Sequence, residues 1–265
     1  MPRSTRNGVS IYYEVAGEGP PVVLVHANPF DHRLWMYQTA RWSAFHAIVA
    51  VDIRGYGRSD KPEAPFSLED MANDVIGVMD DLAIDRAVVG GCSVGSGMAL
   101  IMGLDHPERC AALVLVGGAS RPGANVSARV AGYAGDVATY QREHLRACTA
   151  PGFGDGDPGG WVLNMFNERA DTLSGASIGQ IFRARGSADL QARLPAMKPP
   201  VIVVNGIHDI SLDAGLETAR LIPGAVHSVI PGSGHACQIE NPAGFDAAVL
   251  PFLAKHGLWG GASGA

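Results

Sequence analysis

Three short segments carry the residue types that nucleophilic acyl transfer requires. Gly91-Cys92-Ser93-Val94-Gly95 has the form G-x-S-x-G. Gly206-Ile207-His208-Asp209 and Gly232-Ser233-Gly234-His235 follow it, so serine, carboxylate and imidazole occur in that chain order. A serine hydroxyl is a poor nucleophile at neutral pH and needs an adjacent base. Imidazole, with an unperturbed pKa of about 6.5, suits that task. A carboxylate then holds the imidazole in the right tautomer and stabilises its protonated form. Ser93 is therefore the candidate nucleophile, His235 the general base and Asp209 the orienting acid.

An acyl-transfer site also needs two N–H donors aimed at the developing oxyanion. Val94, directly after the nucleophile, supplies one. The loop His26-Ala27-Asn28-Pro29-Phe30 offers the other, at the Asn28 backbone. His26 reads as a brace for that loop.

Plainer readings compete at each position. A bare G-x-S-x-G is also a Gly-rich turn with an incidental serine, and Asp209 sits where turns favour Asp. Asp213 is the rival acid, although a carboxylate in a helix's first turn has a structural reason to be there. The loop Gly117–Ser120 contains no carboxylate. Cys92 is a rival nucleophile, but its flanking positions are Gly90 and Val94, and a β-branched valine crowds such a turn. His208 has no second ligand at metal spacing. The chemistry calls for no cofactor and no metal.

These residues need a scaffold that presents loops at one edge of a sheet. Val9–Val15 alternates like an outer strand, while Val22–Val25, Ala47–Ile53, Ala87–Gly90, Ala111–Val116 and Val201–Val204 are short apolar runs suited to strands buried on both faces. Val226–Ile230 adds one more. Helical spacing marks Arg33–Ser43, a stretch from Ser67 to Ala83, Gly95–His106, Leu212–Leu221 and Pro242–His256. Ser67 and Asp70 have the spacing of a capping box. Strands alternating with helices predict a mostly parallel sheet covered on both faces. The alternation breaks after Gly118, and residues 121–195 show only helical or loop patterns.

Composition sets the outer limits. The 265 residues are 47% hydrophobic and 17% charged, with a formal net charge of −6. That describes a compact, soluble chain with no basic stripe for nucleic acid. No apolar run is long enough for a membrane helix, and Met1–Gly8 lacks the apolar core of a secretory signal. Four scattered cysteines suggest reduced thiols and a cytoplasmic setting rather than a disulfide framework. The Gly-rich tail after Leu258 reads as frayed. A homodimer through the inserted segment or an edge strand stays open.

Together, His26-Ala27-Asn28-Pro29, the run Asp52–Asp60, Gly91–Gly95, Gly206–Asp209, and Gly234-His235 with Glu240-Asn241-Pro242 resemble the α/β-hydrolase superfamily. The resemblance covers residues 9–256 apart from the insertion. It implies the α/β-hydrolase fold: a mostly parallel, doubly wound sheet with an inserted helical lid, the core being residues 1–120 and 196–265 and the lid 121–195. Size and lid length are similar to the group holding enol-lactone hydrolases, small carboxylesterases and meta-cleavage carbon–carbon hydrolases. The resemblance thus implies hydrolysis of a small-molecule ester or lactone through an acyl-enzyme. The alternatives are carbon–carbon bond hydrolysis by the same triad, or a slow-turnover ligand receptor. Ala27 and Ser96 replace glycines common in this superfamily. Ser93 stands where haloalkane dehalogenases carry Asp, which argues against that activity and against epoxide hydrolysis. In the lid, Tyr133, Tyr140, Trp161, Met165, Phe166 and Phe182 are candidates to line an apolar pocket. Arginines there either bind a substrate carboxylate or face water.

Overall fold

The computed structural model describes residues 2–6, 8–123 and 125–259. Of the Gly-rich tail expected to fray, residues 260–265 lie outside them, while Trp259 is packed, stacking on His46 and meeting Trp42 edge-on. The chain opens on β1 (Arg3–Arg6), a strand the polar N-terminus did not announce. Only Ser4 of β1 is buried, so no alternation of apolar residues was there to read. β1 pairs antiparallel with β2 (Val9–Ala16). There follow β3 (Pro21–Val25), α1 (Met36–Trp42), β4 (Ala47–Val51), α2 (Leu68–Asp81), β5 (Ala87–Cys92), α3 (Val94–Asp105) and β6 (Cys110–Val116). Four helices come next: α4 (Val126–Tyr133), α5 (Val137–Ala147), α6 (Gly159–Asn167) and α7 (Gly175–Ser187). The chain then returns to β7 (Val201–Gly206), α8 (Leu212–Leu221), β8 (Val226–Ile230), α9 (Cys237–Glu240) and α10 (Pro242–Lys255).

The eight strands form one sheet in the order β1-β2-β4-β3-β5-β6-β7-β8. The β1–β2 and β2–β4 pairings are antiparallel and the rest are parallel. Strand alternation divides the core between the two faces. Val23 and Val25 of β3 pack with Met71, Val75 and Met79 of α2 and with Met98 and Leu100 of α3. Val22 and Leu24 face Trp35, Trp42 of α1 and Phe245 of α10. Burying both faces explains why the central strands read as unbroken apolar runs.

Among the boundaries that differ from expectation, two have clear local reasons. The predicted helix Arg33–Ser43 begins as a 3-10 turn, His32–Trp35, because Asp31 caps it by accepting from the Arg33 N–H at 2.9 Å. The predicted strand Ala47–Ile53 stops at Val51, since Asp52 turns its carboxylate to the Arg58 N–H and to the N–H and ring of His32, each at 2.8 Å. The capping box of α2 forms as expected: Asp70 N–H meets Ser67 Oγ at 3.0 Å, and Ser67 N–H meets Asp70 Oδ2 at 2.8 Å. Among the described residues no helix is long and apolar enough to cross a membrane.

Candidate active site

Ser93 occupies the one-residue corner between β5 and α3, with φ 54° and ψ −110°. A non-glycine residue rarely adopts positive φ, and such strain persists only where the surroundings impose it. Here they do. A Cβ on Gly91 would run into the Gly95 carbonyl, and one on Gly95 into the carbonyls of Val25 and His26. The Ser93 N–H donates to the Val116 carbonyl at 2.8 Å. Ser96 places its buried hydroxyl 2.7 Å from the Gly91 carbonyl and 2.8 Å from that of Val116. One side chain thus spans the strand, the turn and the neighbouring strand.

His235 and Asp209 come from the loops after β8 and β7. Nδ1 of His235 lies 2.8 Å from Oδ1 of Asp209. The same oxygen accepts from the N–H and the hydroxyl of Ser211, both at 2.8 Å, and Oδ2 accepts from Asn205 Nδ2 at 2.7 Å. Burial pushes the Asp209 carboxyl up, but the His235 charge and hydrogen bond, with Ser211 and Asn205, outweigh it and hold the group down to about 2. Burial likewise pushes the His235 imidazole down, and Asp209 outweighs it, leaving the group above its ordinary range. Gly117, with φ 57°, ends β6 against the His235 ring, where a side chain would collide with the imidazole. Glu240 holds the loop from behind, accepting from the N–H groups of Gly234 (3.0 Å) and Ala150 (2.6 Å).

Ser93, His235 and Asn28 line one cavity of about 530 Å³. Among the described residues no hydrogen bond joins the Ser93 hydroxyl to the His235 ring. The structure therefore places Asp209 and His235 in direct contact, and Ser93 and His235 on a shared wall. Val94 heads α3, where the first N–H groups have no intrahelical acceptor; its side chain is buried and does not line the cavity. Neither the Val94 nor the Asn28 N–H finds an acceptor among the described residues.

The rival residues sit elsewhere. Asp213 is exposed on the first turn of α8. Cys92 is fully buried, its thiol pushed far up by burial. All four cysteines are buried and unpaired. His26 braces the loop 26–30: Nδ1 donates to the Ala27 carbonyl at 2.9 Å and Nε2 accepts from the Ile53 N–H at 3.0 Å. Donor atoms of Asp31, His32 and Asp52 lie within 4.8 Å of one another, but Arg33 occupies Asp31 and the amide of Arg58 with His32 occupies Asp52. This cluster does not line the cavity.

Of the six aromatic and methionine candidates in the inserted helices, only Phe182 reaches the cavity. Phe166 packs edge-on against Phe30, and Trp161 is exposed. Tyr133 is buried in a polar chain that the sequence did not reveal. Gln141 of α5 donates from Nε2 to the Pro29 carbonyl at 2.6 Å, which leaves its Oε1 to accept from the Tyr133 hydroxyl at 3.0 Å. The Tyr133 oxygen then accepts from Nδ1 of His144, 2.8 Å away. Ser211, Asn205, Gly117 and Gln141 carry no local motif; Glu240 alone was marked, by the Glu240-Asn241-Pro242 run.

Comparison with known proteins agrees with this fold. The profile of the family described as alpha/beta hydrolase fold matches residues 20–242. The crystal structure of the enol-lactonase from Burkholderia xenovorans LB400 superposes with a TM-score of 0.89 at 27% identity, covering 96% of this chain and 100% of that one. A thermophilic esterase from Thermogutta terrifontis gives 0.85 at 25% identity, over 97% and 99% of the two chains. A Variovorax paradoxus (strain S110) protein named for carbamate hydrolase activity, RutD, is 31% identical over 266 residues, covering 92% of this chain and 96% of the relative.

Proposed function

The chain belongs to the alpha/beta hydrolase family, and from that premise we propose that it hydrolyses a carboxylic ester or lactone through an acyl-enzyme on Ser93. The observation that carries the reading is the 2.8 Å contact between His235 and Asp209 on a cavity that also exposes a strained serine.

The Ser93 hydroxyl attacks the carbonyl carbon while its proton passes to Nε2 of His235. Asp209, ionised at any working pH, stabilises the imidazolium that forms. The tetrahedral oxyanion is held by the N–H groups of Val94 and Asn28; each such donor is worth about 10²–10³ in rate. Collapse breaks the bond to the alkoxide, which takes the proton from His235. Water, deprotonated by the same imidazole, then attacks the acyl-enzyme, and the Ser93 hydroxyl is regenerated. Hydrogen bonds of this kind often tighten only with substrate bound, which accommodates the open Ser93–His235 geometry. The likeness to an enol-lactonase and an esterase supports an ester or lactone carbonyl as the target. Helices α4–α7, within residues 121–195, serve as the lid over a core of residues 1–120 and 196–265. Four unpaired thiols support a reducing, cytoplasmic setting.

The test uses Ser93→Ala with a panel of 4-nitrophenyl esters and a fluorophosphonate label. Wild-type protein should turn over at least one ester and label at Ser93, and the variant should do neither while melting as a folded protein. Turnover retained in the variant would remove Ser93 from the reaction.

A further inference from the structure

The cavity is positively charged in a chain whose formal net charge is −6. Arg121, Arg129 and Arg185 line it, and no Asp or Glu does. Two of these arginines are already engaged. Arg121 pairs with Glu217 at 3.0 Å. Arg185 gives its guanidinium to the carbonyls of Ala119 (2.5 Å) and Arg121 (2.9 Å), fixing the backbone at the rim. The guanidinium of Arg129, half-buried on α4, makes no hydrogen bond and no ion pair with any described residue, only its main-chain N–H donating to the Asn125 carbonyl.

Its charge nevertheless reaches deep into the site. It pushes the imidazoles of His235 and His144 down, each after the larger effect of burial, and it draws the Cys148 thiol down against burial. His144, Cys148 and His235 all line the cavity. Arg129 thus shares the cavity wall with the base. A half-buried cation without a counter-charge is costly, and one beside the general base works against keeping that base protonatable. A bound anion would remove both penalties. A planar guanidinium is also the group that best matches a carboxylate in two-point contact.

We propose that the substrate is an ester or lactone carrying a separate ionised carboxylate, and that Arg129 receives it. This deepens the hydrolase reading and rests on it. Arg121 and Arg185 add long-range attraction at the rim, while Phe182 and Val126 pack the apolar part of the acyl chain.

Two matched pairs of substrates test the assignment: 4-nitrophenyl hydrogen glutarate against 4-nitrophenyl pentanoate, and 4-acetoxybenzoate against phenyl acetate. Wild-type protein should prefer the charged member of at least one pair in kcat/KM, and added salt should weaken the preference. Arg129→Met should lower the charged-to-neutral ratio of that pair by about 10- to 100-fold, with Arg129→Lys recovering part of it. Calorimetric titration of glutarate into Ser93→Ala should show binding that Arg129→Met abolishes when combined with it. A preference for the neutral members, or a ratio and glutarate affinity that Arg129→Met leaves alone, overturns the proposal. Neutral esters that need Ser93 for turnover keep the hydrolase reading intact in that event. Glutarate binding that depends on Arg129, with no ester cleaved, would instead retain the anion site and discard the hydrolase.

Discussion

Ser211 donates both its N–H and its hydroxyl to Oδ1 of Asp209, the oxygen that also meets Nδ1 of His235. With Asn205 on the other oxygen, the carboxylate cannot rotate without breaking several bonds. The imidazole is oriented by a group that is itself fixed.

The pH profile should report this arrangement. Burial alone would drive His235 down, and Asp209 reverses that, so the base titrates above the ordinary value of about 6.5. Activity requires the neutral imidazole, so kcat/KM should rise with pH along a limb centred above that value. Asp209→Asn should move the limb to lower pH and cut kcat by about 10⁴-fold. A limb that stays in place in this variant would separate Asp209 from the base.

Stability should follow the same pair on the acid side. The Asp209 carboxyl is held down to about 2, against about 3.9 for an unfolded chain. Its contribution is present above the unfolded value and is lost as pH falls through the folded one. The Tm difference between wild type and Asp209→Asn should therefore shrink between pH 5 and pH 2. Melting curves at constant ionic strength check this.

Arg54 and Asp74 form a two-point ion pair at 2.7 Å, each side chain under a tenth exposed, with Phe66 against the guanidinium. Asp74→Ala strands a buried charge and should cost about 3–5 kcal/mol. Arg54→Met combined with Asp74→Leu should recover most of that, as read from denaturant unfolding. A single variant as stable as wild type would show the pair to be dispensable.

Gln141→Leu removes the bond from α5 to the Pro29 carbonyl, next to Asn28, the proposed oxyanion donor. Misplacing a positioned group by about 1 Å costs about 10²-fold in rate, so kcat should fall by up to that factor with KM little changed. A rise in KM alone would place the effect on substrate entry instead.

Iodoacetamide should leave turnover intact. Cys92 is sealed from solvent and Cys148, although on the cavity wall, has its thiol pushed up to about 12 by burial. The thiolate is the reactive form. Rapid inactivation protected by substrate would point to a cysteine nucleophile.

The sheet was legible because its strands are short apolar runs between turn residues, and helices such as Leu212–Leu221 showed their spacing directly. Strand β1 was not, since only one of its side chains faces inward. Ser93, His235 and Asp209 stood out because glycine-rich turns surround residues of the right chemistry. Ser211, Asn205 and Gly117 did not, because their roles depend on what the fold lays beside them. Asn205 is four residues from the carboxylate it holds, but Gly117 is 118 positions from the ring it accommodates. The inserted aromatics misled for a related reason. Hydrophobicity marks a side chain for burial without saying whether it packs on the core, as Phe166 does, or borders the cavity, as Phe182 does.

Helix α5 and the turn that ends it are bonded to the loops that carry Asn28 and His235. Its Gln141 grips the Pro29 carbonyl, and the turn that ends it takes the Ala236 N–H on the Cys148 carbonyl and gives the Ala150 N–H to Glu240. The inserted region is thus not a detachable accessory. Swapping residues 121–195 wholesale for a relative's segment would carry off the support of the Asn28 and His235 loops along with the cavity wall. A graft that keeps 137–150 and replaces only the flanking helices is the exchange this architecture tolerates.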